Sequence, residues 1–433
     1  MMEQGGIEQR ATRIRWRILG LLIVSSFVSY VLRYNVSTAG PSMIDELDIS
    51  EIQYGWVLAA FTAGYAIFQF PSGLLGVAWG HRRTLATAMV LWGLLTILTA
   101  FIPGPGYAGM WVTIAALIIV RFLVGAAHAP IYPITGGVVE RWFPVGHWGL
   151  PNGLSSTGLT LGTAATASVL IWMIGLYGWR ISFLMLAPLG FLTAWAWWWY
   201  FRDNPEEHGS VNASEVELIK ADRPLATDVG SNEPAWLRVL KNRNALLLAG
   251  SYFCMNYVFF QMFNWVFYYF VTVRGFAEQQ AGYFTSIQWI AAAVGATLGG
   301  FICDYFCQKN GLCKGCRWPA AIAVALSGVF ILVGSLPVTA TVAVACFAAS
   351  FFFNQITEAS YWAAAIGIGG RYSAATSGIM NTGGNAVGFV NALLVPFTAQ
   401  ILGWTVAMAT AAGFAFLAAL LWLFIRADER MAD

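Results

Sequence analysis

Three charged side chains stand apart because each lies deep within a long apolar stretch: Arg33, Arg121 and Glu358. A charge at the centre of a membrane span costs at least about 2.5–3.5 kcal/mol on insertion scales, so each needs a partner or a hydrated cavity. Glu358, in the second half, can neutralise only one of the two arginines, and the apolar stretches of the first half contain no Asp or Glu. Because guanidinium groups bind carboxylate or phosphate with paired hydrogen bonds, the surplus positive charge predicts an organic anion as the ligand.

These charges lie on polar stripes that repeat at helical spacing. Residues three or four apart share one face of a helix, so polar faces from both halves of the chain predict a hydrated central cavity. Hydrogen bonding between neighbouring helices is the alternative explanation for each stripe. The stripes comprise Ser26, Tyr30, Arg33 and Ser37; Arg121, Gly125, His128 and Tyr132; Tyr257, Gln261, Asn264 and Tyr268; Asn354, Glu358 and Tyr361; and Ser377, Asn381, Gly384, Asn385 and Gly388.

Twelve apolar stretches carry or flank these stripes, and each has about the 20 residues that a helix needs to cross a bilayer. Hydrophobic residues make up 58% of the 433-residue chain and charged residues only 10%, against about 25% in soluble domains. The composition excludes an ordinary soluble enzyme, and we find no phosphate-binding glycine loop or metal-binding His/Glu helix. The approximate limits are 17–40, 53–76, 84–103, 108–138, 149–175, 181–201, 243–272, 279–303, 318–337, 340–367, 374–400 and 403–426.

The basic residues predict the orientation of the chain. With the N-terminus inside, nearly all of the 23 Lys and Arg residues fall on the inner side, and only Arg180 and Arg274 fall in outer loops. This asymmetry follows the positive-inside rule. We therefore expect a multi-pass protein of the cell membrane with both termini in the cytoplasm, acting as a monomer in the lipid bilayer without nucleic acid or a cofactor.

The chain also divides into two similar parts. The hydrophilic stretch 202–242 separates residues 1–201 from residues 243–433 and is predicted to be a solvated cytoplasmic linker. GLSSTG at 153–158 resembles GIMNTG at 378–383, at matching places in the two parts. Repeats of this kind are typical of transporters whose site lies between the halves. We predict an all-α membrane protein of twelve transmembrane helices in two pseudo-symmetric six-helix bundles.

Several segments resemble a known family, the major facilitator superfamily, and within it the anion:cation symporters that include bacterial sugar-acid permeases and sialin-like carriers. The resemblance covers nearly all of the chain. The matching segments are YVLRYNVS at 30–37, YAIFQFPSG at 65–73, RFLVGAAHAPIYP at 121–133 with RWFP at 141–144, and SGIMNTGGNAVG at 377–388. The resemblance implies alternating-access transport of a small carboxylate, most simply a sugar acid, together with a cation.

The resemblance also implies roles for single residues. The implied substrate-binding set is Tyr30, Arg33, Asn35, Tyr65, Arg121 and His128 in the first half, with Gln261, Asn264, Asn381 and Asn385 on the substrate hydroxyls. The implied inner gate is Gly73, Gly80, Arg82, Arg83 and Asp304. The gate departs from the family pattern, because Val77 stands where the family has Asp, whereas the second half keeps Gly300 and Asp304.

Two further departures concern proton coupling. Many family members have an acid where this sequence has Leu32, and another where it has His128. Three alternatives follow: His128 carries the proton, Glu358 carries a proton or another cation, or the protein is an uncoupled facilitator or an anion exchanger. A non-transporting receptor on the same fold is an alternative of a different class.

Four of the six cysteines lie close together in sequence: Cys303, Cys307, Cys313 and Cys316. Four thiols could hold zinc. The spacing matches no standard zinc finger, however, so we expect reduced thiols without a metal.

Overall fold

The computed structural model of the protein describes residues 10–144, 149–220, 235–429 and 431. These residues are almost entirely helical and contain no strand, which confirms the predicted all-α fold. The side chain of Val77 and residues 221–234 of the linker lie outside the described part of the chain.

The first half begins with a long helix that starts near the linker. The next helix, α2, begins at a capping box, in which the Ser50 hydroxyl accepts from the Gln53 N–H at 3.2 Å and the Gln53 side chain accepts from the Ser50 N–H at 2.7 Å. The helices are α1 Ile14–Leu47, α2 Glu51–Trp79, α3 His81–Ala100, α4 Pro105–Ala108, α5 Met110–His128, α6 Ile131–Trp142, α7 Gly149–Leu186 and α8 Pro188–Tyr200.

The linker contributes a 3₁₀ turn, Pro205–Glu207, and two short helices, after which the second half follows. A π-helical turn, Tyr269–Val273, and a 3₁₀ turn, Gly370–Tyr372, interrupt the longer helices. The helices are α9 Ala213–Lys220, α10 Ala235–Lys241, α11 Arg243–Asn264, α12 Val266–Tyr268, α13 Glu278–Ser335, α14 Ala340–Ile356, α15 Glu358–Gly369, α16 Ser373–Leu402 and α17 Trp404–Trp422.

Nine helical stretches among the described residues are long and apolar enough to cross a membrane. Two of these stretches contain a reversal of direction. The stretch formed by α7 and α8 reverses at Gly178, and α13 reverses at Gly311. The φ angles there, 75° and 76°, lie in the left-handed region that favours glycine. Counting both arms of these hairpins, and α2 as a further passage, the structure is consistent with the predicted twelve.

The two halves pack their helices in the same order. In the first half α1 packs along α7 and α2 along α5; in the second half α11 packs along α16 and α13 along α14. Small residues allow the close approaches. A Cβ on Gly125 would overlap the carbonyl oxygen of Phe61, and one on Gly295 would overlap that of Phe352. This repeated packing is the pseudo-symmetry expected of the fold.

The halves touch at the end of the bundle opposite the linker, which we call the closed end. There the Tyr268 hydroxyl donates to the Glu51 carboxylate at 2.7 Å. Between the same halves, the hydroxyls of Ser168 and Ser286 lie 2.7 Å apart, joining α7 to α13.

The opposite end, the linker end, carries both ends of the described chain. The side-chain amide of Asn212 in the linker donates to the carbonyl oxygen of Arg10 at 2.9 Å. The backbone N–H of Met431 donates to the carbonyl oxygen of Ile368 at 3.0 Å. Because both ends lie on one side, the chain crosses the bundle an even number of times.

Toward the linker end, two matching glycines of the two halves have free space beside them. Gly153 and Gly378, at matching places in the repeated GLSSTG and GIMNTG segments, have no neighbouring atom within 4 Å of an added Cβ. The hydrogen bonds from Ser42 to Glu278, between Ser168 and Ser286, and from Tyr268 to Glu51 join the halves toward the closed end.

Part of the linker, predicted to be solvated, is instead folded onto the first half. The Glu215 carboxylate is fully buried and accepts the Thr12 hydroxyl at 2.5 Å and the backbone N–H groups of Ile14 and Arg15 at 3.1 and 3.2 Å. The first turn of a helix has unpaired N–H groups and a positive dipole end, so a carboxylate there is stabilising. Glu215 thus anchors the start of α1.

Candidate functional site

Arg33 of α1 lies where the halves meet, and only 2% of it is exposed. Its guanidinium carbon lies 4.7–5.2 Å from the centres of four aromatic rings, those of Tyr30, Phe61 and Tyr65 and, from the second half, Phe263. Nη1 also donates to the Tyr30 hydroxyl at 3.2 Å. Aromatic faces attract a cation without neutralising it. Arg33 therefore keeps an uncompensated positive charge in an apolar setting.

Arg121 of α5 is buried beside it, with 3% exposed. Its guanidinium carbon lies 5.0 Å from the centre of the Phe61 ring, and Nη2 reaches the carbonyl oxygen of Arg33 only at 3.5 Å. The Nε atoms of both arginines have no hydrogen-bond partner among the described residues. The ion pairs of the described chain include neither arginine. Two buried cations with free donors and no counter-ion are suited to bind an anion.

Tyrosines frame this pair. The Tyr132 hydroxyl donates to that of Tyr30 at 3.2 Å, and Tyr65 stacks on Phe61 with ring centres 6.2 Å apart. The structure thus brings together Tyr30, Tyr65 and the two arginines, four residues of the substrate-binding set that the family resemblance implies. Phe61 and Phe263 were missed, because an aromatic residue on an apolar helix looks like ordinary packing until its neighbours are known.

Two other candidates of the first half bond to nearby backbone. The His128 ring stacks on Trp92 with centres 4.7 Å apart, and its Nδ1 lies 2.8 Å from the Val124 carbonyl oxygen. Because a carbonyl only accepts, Nδ1 carries the hydrogen. Asn35 is 1% exposed, and its Oδ1 accepts from the Val36 N–H at 2.7 Å. Both side chains hydrogen bond within their own helices, and the His128 ring also packs on Trp92 of α3.

The polar stripe of α11 bonds within the second half. The Asn391 amide donates to Gln261 Oε1 at 2.8 Å, and Asn264 donates to Asn391 Oδ1 at 3.3 Å. Gln261 in turn donates to the Met408 sulfur at 3.0 Å. The three amides are buried. The structure therefore places Gln261 and Asn264 in a chain of side-chain amides around Asn391, a residue that sequence analysis did not single out.

Asn381 and Asn385 occupy successive turns of α16 and are both partly exposed. The Asn385 amide donates to the carbonyl oxygen of Asn381 at 2.9 Å and to its Oδ1 at 3.2 Å. They follow Gly378 on the same helix face, where an added Cβ on Gly378 would meet no atom within 4 Å. These two amides are thus more accessible than the α11 pair.

Glu358 begins α15 and is partly exposed. A single carboxylate oxygen, Oε1, accepts from the Tyr252 hydroxyl at 2.9 Å and from the Trp362 indole N–H at 2.7 Å. In the described part of the chain no Arg or Lys lies within ion-pair distance of it. Glu358 therefore does not serve as the counter-ion of Arg33 or Arg121.

At the predicted gate, Arg82 is held by its own half. Its backbone N–H donates to Asp203 at 3.0 Å, its Nε donates to the Trp198 carbonyl oxygen at 2.9 Å, and its guanidinium lies over the Trp198 ring. Gly80 has a φ of 86°, and a Cβ there would stand 2.6 Å from the Asp203 carboxylate. Asp203, which follows the end of α8, thus stabilises the turn at Gly80.

The remaining gate candidates are less engaged in this conformation. Arg83 and Asp304 are exposed. Gly73 lies near Pro133, whose Cβ is 3.6 Å from an added Cβ.

The sequence and the fold both resemble known transport proteins. The Major Facilitator Superfamily profile matches residues 22–388. A protein of Cupriavidus necator named a probable sulfoacetate transporter is 28% identical over 393 residues, covering 90% of this chain and 89% of that protein. The hexuronate transporter of Bacillus subtilis is 28% identical over 409 residues, covering 93% and 92%.

Two further matches extend this. A probable galactarate/D-glucarate transporter of Escherichia coli is 26% identical over 409 residues, covering 92% of this chain and 89% of that protein. The crystal structure of a bacterial homologue of the human lysosomal transporter Spinster, inward-facing and unoccupied, has a TM-score of 0.77 at 14% identity. It covers 96% of this chain and 99% of that chain, a likeness of fold alone.

Proposed function

Since the chain belongs to the Major Facilitator Superfamily, we propose that it carries a small carboxylate, most simply a sugar acid, across the membrane by alternating access. The protein is a transporter and not an enzyme. The observation that carries the proposal is the pair Arg33 and Arg121, two buried guanidinium groups without a counter-ion among the described residues. An anion between them supplies the missing charge and accepts their free N–H groups.

The relatives support an anionic cargo. Three of them are named as transporters of sulfoacetate, hexuronate, and galactarate or glucarate, all of which are organic anions. In this chain the carboxylate binds the two arginines with Tyr30 and Tyr65, and the substrate hydroxyls face Asn381 and Asn385 on the accessible side of α16.

A contrast between the two ends supports alternating access. The bond from Tyr268 to Glu51 joins the halves at one end, whereas Gly153 and Gly378, toward the other end, have no atom within 4 Å of an added Cβ. In the opposite state the closed-end contacts break, and the halves meet near Arg83 and Asp304 instead. The substrate site at Arg33 then opens to the other side of the membrane.

For coupling we favour a proton carried by Glu358, which makes the protein a cation symporter. Its carboxylate is partly exposed and its second oxygen has no hydrogen-bond donor among the described residues. His128 is less suited, because its ring is stacked on Trp92 and its Nδ1 is committed to a carbonyl.

We place the protein in the cell membrane as a monomer with both termini in the cytoplasm. The orientation is supported by the excess of Lys and Arg in the loops on the same side as the linker. Both described chain ends also lie on that side. Reporter fusions at the two termini test the orientation.

Uptake by proteoliposomes tests the cargo. We expect saturable uptake of hexuronates, aldonates or aldarates, and competition by other members of the same class. The matched control is the corresponding neutral sugar, which has the same hydroxyls but lacks the carboxylate and should neither enter nor compete. Equal competition by the neutral sugar would rule out the anion site.

The same vesicles separate the alternatives. A symporter accumulates substrate under an imposed pH gradient, a facilitator only equilibrates it, and an exchanger requires a preloaded anion. A receptor binds the anion without any flux. If correctly folded protein in the vesicles binds the anion but carries none across the membrane, the transport proposal is rejected.

A further inference from the structure

The turn between the two arms of α13 brings three thiols together. Cys303 and Cys307 lie one helical turn apart on the first arm, and Cys316 lies on the second arm, beyond the reversal at Gly311. The Sγ atoms of Cys303 and Cys307 are 3.8 Å apart, and those of Cys307 and Cys316 are 3.7 Å apart. All three lie within 4.8 Å of one another.

We propose that Cys303, Cys307 and Cys316 form a binding site for one thiophilic metal ion of the Zn²⁺ class, which fastens the two arms of this hairpin. Zinc binds thiolate at about 2.3 Å, so two sulfurs of a tetrahedral zinc site lie about 3.8 Å apart. Two edges of the triangle already have this length. A disulfide, at about 2.05 Å, is much shorter.

Local structure shapes this site. A Cβ on Gly315 would overlap the backbone of Cys307 and stand 2.7 Å from its sulfur, so glycine there lets the arms approach closely enough for the third thiol to join. Cys303 and Cys316 are buried, with 3% and 0% exposed, whereas Cys307 is partly exposed. An ion can therefore reach the site from the side of Cys307.

The fourth cysteine of the segment is turned elsewhere. The Cys313 sulfur accepts from Arg317 Nη2 at 3.3 Å, and Arg317 Nε donates to the carbonyl oxygen of Ile425. The metal thus has three protein ligands, and water completes a tetrahedral shell. This explains why the sequence favoured plain thiols: the pattern is not that of a zinc finger, because a helical hairpin supplies the geometry.

Packed thiols without a metal are the competing explanation, since cysteine behaves as a small apolar residue with a weak S–H donor. The two differ in proton balance and spectroscopy. Metal binding releases the thiol protons to solvent and creates sulfur-to-metal charge-transfer absorption. Packing alone does neither.

The test uses the full-length, tag-free protein, reduced and purified without chelators. We expect up to one Zn²⁺ per chain by elemental analysis and, after removal of metal, a thiolate charge-transfer band that saturates at one added Cd²⁺. In mass spectrometry the bound ion should protect the partly exposed Cys307 from alkylation relative to the metal-free protein, but leave the reactivity of Cys313 unchanged. Absence of the band in folded protein would overturn the proposal.

Substitutions locate the ligands. Cys307→Ser and Cys316→Ser should each weaken Cd²⁺ binding at least tenfold, whereas the matched controls Cys313→Ser and Cys346→Ser should bind as the parent does. An equal loss in Cys313→Ser would overturn the three-cysteine assignment. The change in Cys307 alkylation between the metal-free and the metal-loaded parent protein decides the question even where a variant fails to fold.

Discussion

The two halves of the protein carry polar residues at similar helical spacing, yet these residues do different things. In the first half, Arg33 and Arg121 lie among aromatic rings with Nε atoms that have no partner among the described residues. In the second half, Gln261 and Asn264 are joined through Asn391 into a closed amide chain. The halves share a fold, but these two sets of buried polar groups differ in how they are satisfied.

This contrast separates a site from structural support. A buried polar group whose partners belong to the protein holds helices together, at a modest energy in membranes. A buried charge that lacks a protein partner is costly and requires an external counter-ion. Under the proposed function, the anion binds at the unpaired charge of the first half, whereas the second half contributes mostly framework, apart from Glu358 and the accessible asparagines Asn381 and Asn385.

The largest expected effect tests the first half. Arg33→Gln and Arg121→Gln should each weaken binding of a carboxylate substrate at least about 100-fold, or about 2.8 kcal/mol, because each removes a charge-assisted pair of hydrogen bonds. Calorimetry on purified protein measures this. Arg17→Gln, at an exposed position of the same helix α1, is the control. Unchanged affinity in either the Arg33 or the Arg121 variant would contradict the assignment of the anion site to the first half.

The next largest effect concerns Glu358, the charged residue of the second half that we propose as the proton carrier. Glu358→Gln should abolish the acceleration of uptake by a pH gradient, because the amide cannot exchange a proton, while changing substrate affinity less than about threefold. His128→Asn, which keeps an atom in place of Nδ1, should retain the pH response. The reverse pattern in a proteoliposome assay would move coupling to His128.

Much of the fold was predictable from sequence. Hydropathy located the spans, and the repeated GLSSTG and GIMNTG segments indicated the two halves, because both features depend on local composition. Arg33 and Arg121 were found for the same reason, since a charge in an apolar stretch is visible without coordinates.

The rest depends on contacts between distant segments. Periodicity placed Gln261 and Asn264 on a polar stripe like that of Arg33, and a stripe does not reveal whether the hydrogen-bond partners of its residues lie in the protein. Glu215 looked like a solvated linker residue, although it caps a helix about 200 positions away. Phe263 reaches Arg33 from the other half, and that proximity exists only in the folded chain.

A smaller effect tests how the first half is anchored. Glu215→Ala should lower the free energy of unfolding by about 1–3 kcal/mol, because it leaves buried N–H groups at the start of α1 without an acceptor. Thermal unfolding followed by tryptophan fluorescence measures the loss. Glu217→Ala, on the exposed side of the same helix α9, should be neutral. Equal effects would show that α9 contributes no specific cap.

The framework role of the second half predicts a lesser effect still. Asn391→Ala should destabilise the protein by about 0.6–1.7 kcal/mol, the range for side-chain hydrogen bonds between membrane helices, and leave carboxylate affinity within about twofold. Unfolding and binding are measured on the same preparation. A tenfold loss of affinity without destabilisation would place the amide chain in the site.

The smallest expected effect concerns the docked part of the linker. His208 is buried against the Tyr200 ring, and its Nδ1 accepts from the Ser210 N–H at 3.3 Å, which requires that nitrogen to be unprotonated. Burial, and next the nearby charge of Arg202, lower the pKa of His208 below its ordinary value. A histidine whose pKa is lowered on folding adds stability above about pH 6.5, and this stability declines as the pH falls below that value.

Residues 205–220 should therefore open more readily at pH 5.5 than at pH 7.5, by less than about tenfold in amide hydrogen exchange after correction for the intrinsic rates. His208→Asn keeps an acceptor near the Nδ1 position and does not titrate, so its corrected exchange should be the same at both values. His208 is not the group that links acidity to linker docking if the corrected exchange of the parent protein is the same at both pH values. The same conclusion follows if His208→Asn shows as large a difference between the two pH values as the parent does. The first half would then hold the linker through Glu215 and its neighbours alone.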